Sequence, residues 1–130
     1  MAVVSKSITT LGKKMALYGI INGGWSGGGV TVGAITKISA KTTSGEGAGH
    51  ANQDITWGSI SSGSVSVSGT PVLNISAGIT ITHIALIAMD SGAFNDYVNM
   101  VLVAIDSETF TYAGTITITA CTLTVSATLT

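Results

Sequence analysis

The sequence predicts a mainly β fold: an antiparallel β-sandwich, jelly-roll or immunoglobulin-like, preceded by one short N-terminal helix. Three observations predict it. Apolar and hydroxyl residues alternate with period two over much of the chain, as in Ser64-Val-Ser-Val-Ser and Gly114-Thr-Ile-Thr-Ile-Thr. Glycine, serine, asparagine and aspartate cluster between these runs, as turns require. Helical spacing of apolar residues occurs near the N-terminus, before the β pattern begins. A length of 130 residues fits a single domain, 1–130, with a core between two packed sheets and no need of a metal or disulfide. Within it, 1–29 reads as helix plus glycine-rich loop.

From Ser7 to about Asn22, the residues Ile8, Leu11, Met15, Tyr18 and Ile21 fall three or four apart and define one helical face, with Lys13 and Lys14 off that stripe. Gly12 and Gly19 each weaken such a helix by about 1 kcal/mol relative to Ala. Asn22-Gly-Gly ends it, because these residue types accept the left-handed cap conformation. The stretch Gly23 to Gly29 is expected to be a loop carrying Trp25, a contact candidate because a Trp is costly to leave wholly in water. Val30 to Ser39 reads as a strand with Val30, Val32, Ala34, Thr36 and Ile38 on one face. Ser44 to Asn52 reads as a long polar glycine-rich loop.

Downstream, Ile55 to Ile60 and Ser64 to Ser68 flank Ser61-Ser-Gly, a hairpin candidate with Gly63 at a positive-φ position. Pro71 opens a strand over Val72 to Ile75, where its missing N–H suits a strand start or an edge. Ile79 to Met89 follows the Ala77-Gly78 turn. Its second half is apolar on both faces, which makes it the most central strand. A loop from Asp90 to Asp96 leads to a strand over Val98 to Ile105. In the tail, Ile116, Ile118 and Ala120 give way to Leu123, Val125, Ala127 and Leu129. A period-2 strand changes phase only through an extra residue, so a bulge or bend is expected near Ala120 to Thr122, as where a strand crosses between sheets.

Charged residues make up only 8% of the chain, against roughly 25% in an ordinary domain, so hydroxyls and backbone must cover much of the surface. Five lysines, no arginine, six acids and a formal net charge of −1 argue against nucleic acid, whose affinity comes from several cationic contacts. Low net charge gives little colloidal repulsion and suits a protein packed in an assembly. A membrane span is not expected: the longest apolar stretch, Ile79 to Met89, is interrupted by Thr80, Thr82 and His83, and a spanning helix needs about 20 residues. Aromatics are too few for the girdles of a membrane barrel. Gly12, Lys13 and Lys14 interrupt any signal-peptide core after Lys6, so synthesis and assembly in a cytoplasm are expected. Cys121 stands alone and reads as a small buried apolar residue.

No catalytic, cofactor-binding or metal-binding residues are assigned. His50 lies near Glu46 and Asp54 in sequence, but nothing there fixes a geometry, and a solvated loop is the expectation. His83 reads as a hydrogen-bonded, half-buried imidazole in a strand. Asp90, Asp96 and Asp106 match no calcium loop and fall at strand ends, where Asp shapes turns. Ser26 in Gly24-Trp-Ser-Gly-Gly is similar to a nucleophile elbow, but a helix precedes it and a strand follows, the reverse of the required order. Asn74-Ile-Ser is a formal glycosylation sequon without a secretion signal. An enzyme is therefore not expected.

The chain from Asn52 reads Asn-Gln-Asp-Ile-Thr-Trp-Gly-Ser-Ile-Ser-Ser-Gly-Ser-Val-Ser-Val-Ser-Gly-Thr-Pro-Val-Leu, followed later by Ile79-Thr-Ile-Thr-His-Ile-Ala-Leu-Ile. This resembles a group of small tailed-bacteriophage virion proteins, often called tail fibre proteins and in some cases found as capsid decoration or cement proteins. The early helical segment, the glycine-rich loop before Ile55-Thr-Trp and the closing Gly114-Thr-Ile-Thr-Ile-Thr-Ala strand add to the resemblance. The stretch 23–44 differs from the group in its glycine content and its lack of acidic residues.

The resemblance implies a non-enzymatic structural protein of the virion, assembled in a host cytoplasm, with the major capsid protein or other virion proteins as partners. A capsid decoration role is expected first, as a homo-oligomer and by expectation a trimer. A tail or tail-fibre part is the alternative within that class, and a carbohydrate-binding adhesin stacking sugars on Trp25 or Trp57 is the alternative outside it. Trp57 is expected to point inward with Ile55. The interface candidates are Trp25, Phe94 and Tyr97, loop-borne aromatics of the kind that dominate interface energies.

Overall fold

The computed structural model describes residues 9–126. Its elements are a helix, α1 (Thr10–Asn22), and nine strands: β1 (Trp25–Gly27), β2 (Val30–Lys41), β3 (Ala51–Asp54), β4 (Ser64–Ser66), β5 (Val72–Ile75), β6 (Ile79–Asp90), β7 (Asp96–Phe110), β8 (Gly114–Thr117) and β9 (Thr122–Thr124). The fold is mainly β, every strand pairing is antiparallel, and one helix leads, as expected.

Thr9 caps α1: its side-chain oxygen accepts the Gly12 N–H at 3.0 Å, satisfying one of the orphan donors of the first turn. The helix stops where expected, with the Gly23 N–H donating to the Gly19 carbonyl at 3.0 Å. Its orientation corrects the sequence reading. Leu17 and Ile21 are the buried residues, packed against Val65 with Trp57, Ile60, Leu123 and Val125 around them. Of the apolar face defined by the spacing, Ile21 is buried, whereas Leu11, Met15 and Tyr18 are exposed. Ile8 and Ser7 lie outside the described residues.

The expected loop over Gly23 to Gly29 is instead a tight hairpin. Trp25 pairs with Val32 and Gly27 with Val30, around Gly28-Gly29 at φ 60° and 83°. Two successive positive-φ residues make the turn whose twist matches antiparallel strands. β2 then runs 12 residues, but two register irregularities against β6 between Val32 and Lys37 rotate it. The core set is therefore Val32, Ile35, Ile38 and Ala40, rather than the strict alternation expected through Ala34 and Thr36.

The main sheet has the order β1-β2-β6-β7, with β3 on the same edge of β2 as β1. β6 lies between the two longest partners, as its two-faced apolar sequence required. A second layer consists of two short ladders, β4 with β9 and β5 with β8. Between β8 and β9 the chain passes from one ladder to the other: Ile118 donates to the Pro71 carbonyl, and the Cys121 carbonyl accepts from Val67, each at 2.9 Å. That crossing is the phase break expected near Ala120 to Thr122. Ala127 and Leu129 lie outside the described residues.

Core side chains from the main sheet, among them Ile35, Ile38, Ile81 and Leu86, meet Val67, Leu73 and Ile75 from the second layer. Segment 55–60 is not the expected regular strand. Ser61 and Ser64 exchange backbone hydrogen bonds around Ser62-Gly63, but the segment contributes only a Trp57–Val67 bridge, and the ladder partner of β4 is β9. Trp57 explains this, since its indole N–H donates to the Ile35 carbonyl at 2.9 Å and ties the segment to β2.

Residues 42–50 form the other correction. Ser39 and Lys41 alternate with the core-facing Ile38 and Ala40, so they point to the opposite face, yet both are buried. The glycine-rich loop covers them: Ser39 Oγ donates to the Ala48 carbonyl at 2.6 Å and Lys41 Nζ to the Gly47 carbonyl at 2.8 Å. The Gly47 N–H reaches on to the Tyr97 carbonyl at 3.0 Å, and the Glu46 carboxylate accepts the Asn99 N–H at 2.5 Å. The loop is thus a cover pinned to β2 and β7.

Candidate functional site

At one end of the main sheet, the β1–β2 turn and the β6–β7 loop lie side by side. The Ala93 N–H donates to the Gly29 carbonyl at 2.6 Å, and the Ser91 N–H to the Thr31 carbonyl at 2.9 Å. Beneath them Asp90, the last residue of β6, is fully buried. One carboxylate oxygen accepts the N–H groups of Thr31 at 2.7 Å and Gly92 at 2.9 Å, and the other accepts the Phe94 N–H at 2.7 Å. Burial acts to raise the Asp90 pKa, but the backbone N–H donors of Thr31, Gly92, Phe94 and Asn95 outweigh it and hold the carboxyl below its ordinary value. The charged form is the one this cradle fits.

This end of the sheet gathers all three interface candidates. Phe94 rides the braced loop and is 56% exposed. Tyr97, half-buried, opens β7 opposite Met89, which is 44% exposed. The Trp25 backbone lies on β1 opposite Val32, which in turn pairs with Asp90; its side chain is outside what the structure describes. Asp90 itself was legible only as a turn former. An Asp that closes a strand whose second half is apolar on both faces, followed by Ser-Gly, is the available signal for a buried brace.

The ionisable residues considered for chemistry are held by separate partners. Asp54 forms an ion pair with Lys37, Glu46 holds the Asn99 N–H, and His50 Nε2 accepts the Ser76 N–H at 3.2 Å. His83 Nδ1 lies 2.7 Å from Thr82 Oγ1 and the ring is half-buried, as expected. Asp96 accepts the N–H of its neighbour Tyr97 at 2.7 Å, and Asp106 is exposed on β7, so the three aspartates do not converge. Ser26 Oγ sits 3.2 Å from Thr31 Oγ1 across the hairpin, with no helix following. Among the described residues no group of three or more His, Cys, Asp or Glu is placed to hold a metal.

Cys121 is half-buried, and burial raises its thiol pKa. It borders an apolar cleft of about 360 Å³ between the second layer and the β7 side chains Val101, Val103 and Ile105. The second layer therefore stops short of the β7 edge.

Comparison of the chain with protein-family models, curated proteins and solved structures gives no match.

Proposed function

We propose that this chain is a non-enzymatic structural protein of a tailed-phage virion, a capsid decoration or cement protein that binds the outer shell through the tip braced by Asp90. The observation that carries the proposal is an exposed aromatic, Phe94, on a loop whose backbone N–H groups are already held by a buried carboxylate. Binding through a mobile loop loses affinity to ordering; a loop locked in advance avoids that cost. The resemblance of 52–73 and 79–87 to small phage virion proteins supports the same class, as do the low charge and the compact two-layered β fold. In this reading the partner is the major capsid protein, and the protein resides on the virion.

The test is co-sedimentation of the purified chain with empty capsids. Saturable binding at a fixed ratio to shell subunits is expected, and Phe94→Ala should weaken it at least about tenfold. Absence of saturable binding to shells removes the proposal, and co-purification with detached tails would move the role to a tail or fibre part. The adhesin reading is weakened by Trp57, whose indole N–H is engaged inside on Ile35 and cannot serve as an open sugar platform.

A further inference from the structure

β7 runs 15 residues and ends the main sheet, and among the described residues no strand pairs with its outer edge. Such an edge presents a row of unpaired backbone N–H and C=O groups, which natural proteins blunt with charge, proline, a bulge or a cover. The middle of β7 has none of these. Residues 97–105 contain no charge and no proline. The two register irregularities against β6 lie on either side of Val101 to Ala104, which pair regularly with Leu86 to His83. The glycine-rich cover meets β7 earlier, at Tyr97 and Asn99, and the second layer stops short of the edge, leaving the apolar cleft of about 360 Å³.

Pairing with β6 places the side chains of this stretch. Val101 lies opposite Leu86 and Val103 opposite Ile84, so both face the second layer, where Ile105 lines the cleft beside them. Leu102, opposite Ala85, and Ala104, opposite His83, face the other way. Val103 is 52% exposed although it faces the core side, and Leu102 is 38% exposed on the outer face. The edge is therefore apolar on both faces and open to solvent on both.

We infer that β7 pairs edge to edge with β7 of a second copy, antiparallel about a two-fold axis at Val103. That axis stands perpendicular to the sheet, so every side chain keeps its face: Val101 meets Ile105 on the cleft side, and Leu102 meets Ala104 on the other. Apolar and β-branched neighbours across strands are stabilising. Val103 takes the axis because it is the most exposed of the three cleft-facing side chains, Val101 and Ile105 being half-buried. The two clefts then adjoin, and each copy covers the other's open end. Charge permits this register, since Asp106 of each copy falls toward Met100 of the other and the two Asp106 residues stay about 20 Å apart along the ladder, beyond the range of strong repulsion. Length selects a second β7 as the partner: the opposite edge of the main sheet consists of β1 and β3, of three and four residues, which would leave most of β7 unpaired. The contact is isologous and closes at two copies, rather than at the trimer that the resemblance implies. It uses no residue of the Asp90 tip, so it stands or falls independently of shell binding.

Analytical ultracentrifugation of the full chain tests the contact. A reversible monomer–dimer equilibrium is expected, and Val103→Lys, which sets a charge facing its own copy across the axis, should weaken it at least about tenfold while the circular dichroism spectrum stays that of the wild type. Cross-linking gives a second readout that does not depend on the folding of that variant. In C121S/V103C the two new thiols face each other at the axis, where directly paired strand residues lie within disulfide reach. Mild oxidation should convert this protein to a covalent dimer at least about tenfold faster than C121S/T70C, whose exposed thiol lies in the turn before β5 and reports random collision. A chain that stays monomeric into the millimolar range, or that forms trimers, overturns the inference. So does a dimer that a folded V103K leaves unchanged, or a C121S/V103C protein that cross-links no faster than the control.

Discussion

The Phe94 N–H donates to the Asp90 carboxylate at 2.7 Å, so an aromatic that is 56% exposed is held by a residue with no exposure at all. The same carboxylate reaches Thr31 across the sheet, which joins the β1–β2 hairpin to the β6–β7 loop. Buried charges persist in proteins when their hydrogen-bonding capacity is filled, and here three backbone donors lie within 2.9 Å.

Replacing Asp90 with Ala should release those donors together. Amide hydrogen exchange at Thr31, Gly92 and Phe94 is expected to speed up about tenfold or more, since hydrogen bonds to a charged group are among the stronger ones. Exchange in β5 and β8 should change little beyond the global loss of stability. Unaltered protection at the three amides would show that the loop is held by something else.

The acid limb of stability follows from the same residue. Its folded-state pKa is lowered, so the folded protein binds that proton less readily than the unfolded chain does. The contribution is fully present above the unfolded value of about 3.9 and is lost as pH falls through the lower folded value. Thermal melts should therefore show a melting temperature that falls below about pH 4, with a shallower fall in Asp90→Asn. Parallel curves for the two proteins would assign the acid sensitivity to other carboxylates.

Gly49 and Gly69 separate backbone strain from steric overlap. Both have positive φ, 77° and 73°, but a Cβ at Gly49 would lie 2.2 Å from Ser39 Oγ, whereas at Gly69 nothing lies within 4 Å. Gly69→Ala should cost about 1–2 kcal/mol from conformation alone. Gly49→Ala should cost that plus about 1–3 kcal/mol for displacing the loop cover from β2. Chemical denaturation of the two variants measures the difference, and equal losses would mean that the loop shifts freely.

The helix face can be read out with two leucines. Leu17 is 1% exposed and Leu11 is 67% exposed. Leu17→Ala should destabilise the fold by about 2–5 kcal/mol, and Leu11→Ala by no more than about 0.5 kcal/mol. Denaturant titration of the two variants gives both values; a large loss at Leu11 would place that residue in the core.

What the sequence determined by itself is whatever its local periodicity encodes. The alternation of Ile116 and Ile118 with threonines, the jump to Leu123, the two-faced apolar run in Ile84 to Ala88 and the glycine stop after Asn22 each reappear, as β8, the crossing to β9, the central β6 and the end of α1. Trp25, Phe94 and Tyr97 stand out in the sequence as well, although only the strand order shows that their backbones share one end of the sheet. Tertiary structure alone decided which face of α1 is buried. Apolar residues surround that helix, so spacing groups Ile21 with Leu11, Met15 and Tyr18, whereas packing against Val65 buries it beside Leu17. It also decided that residues 42–50 cover a sheet face. A glycine-rich segment has no periodicity to read, and its position follows from hydrogen bonds with Ser39, Lys41, Tyr97 and Asn99, partners up to 55 residues away in the chain.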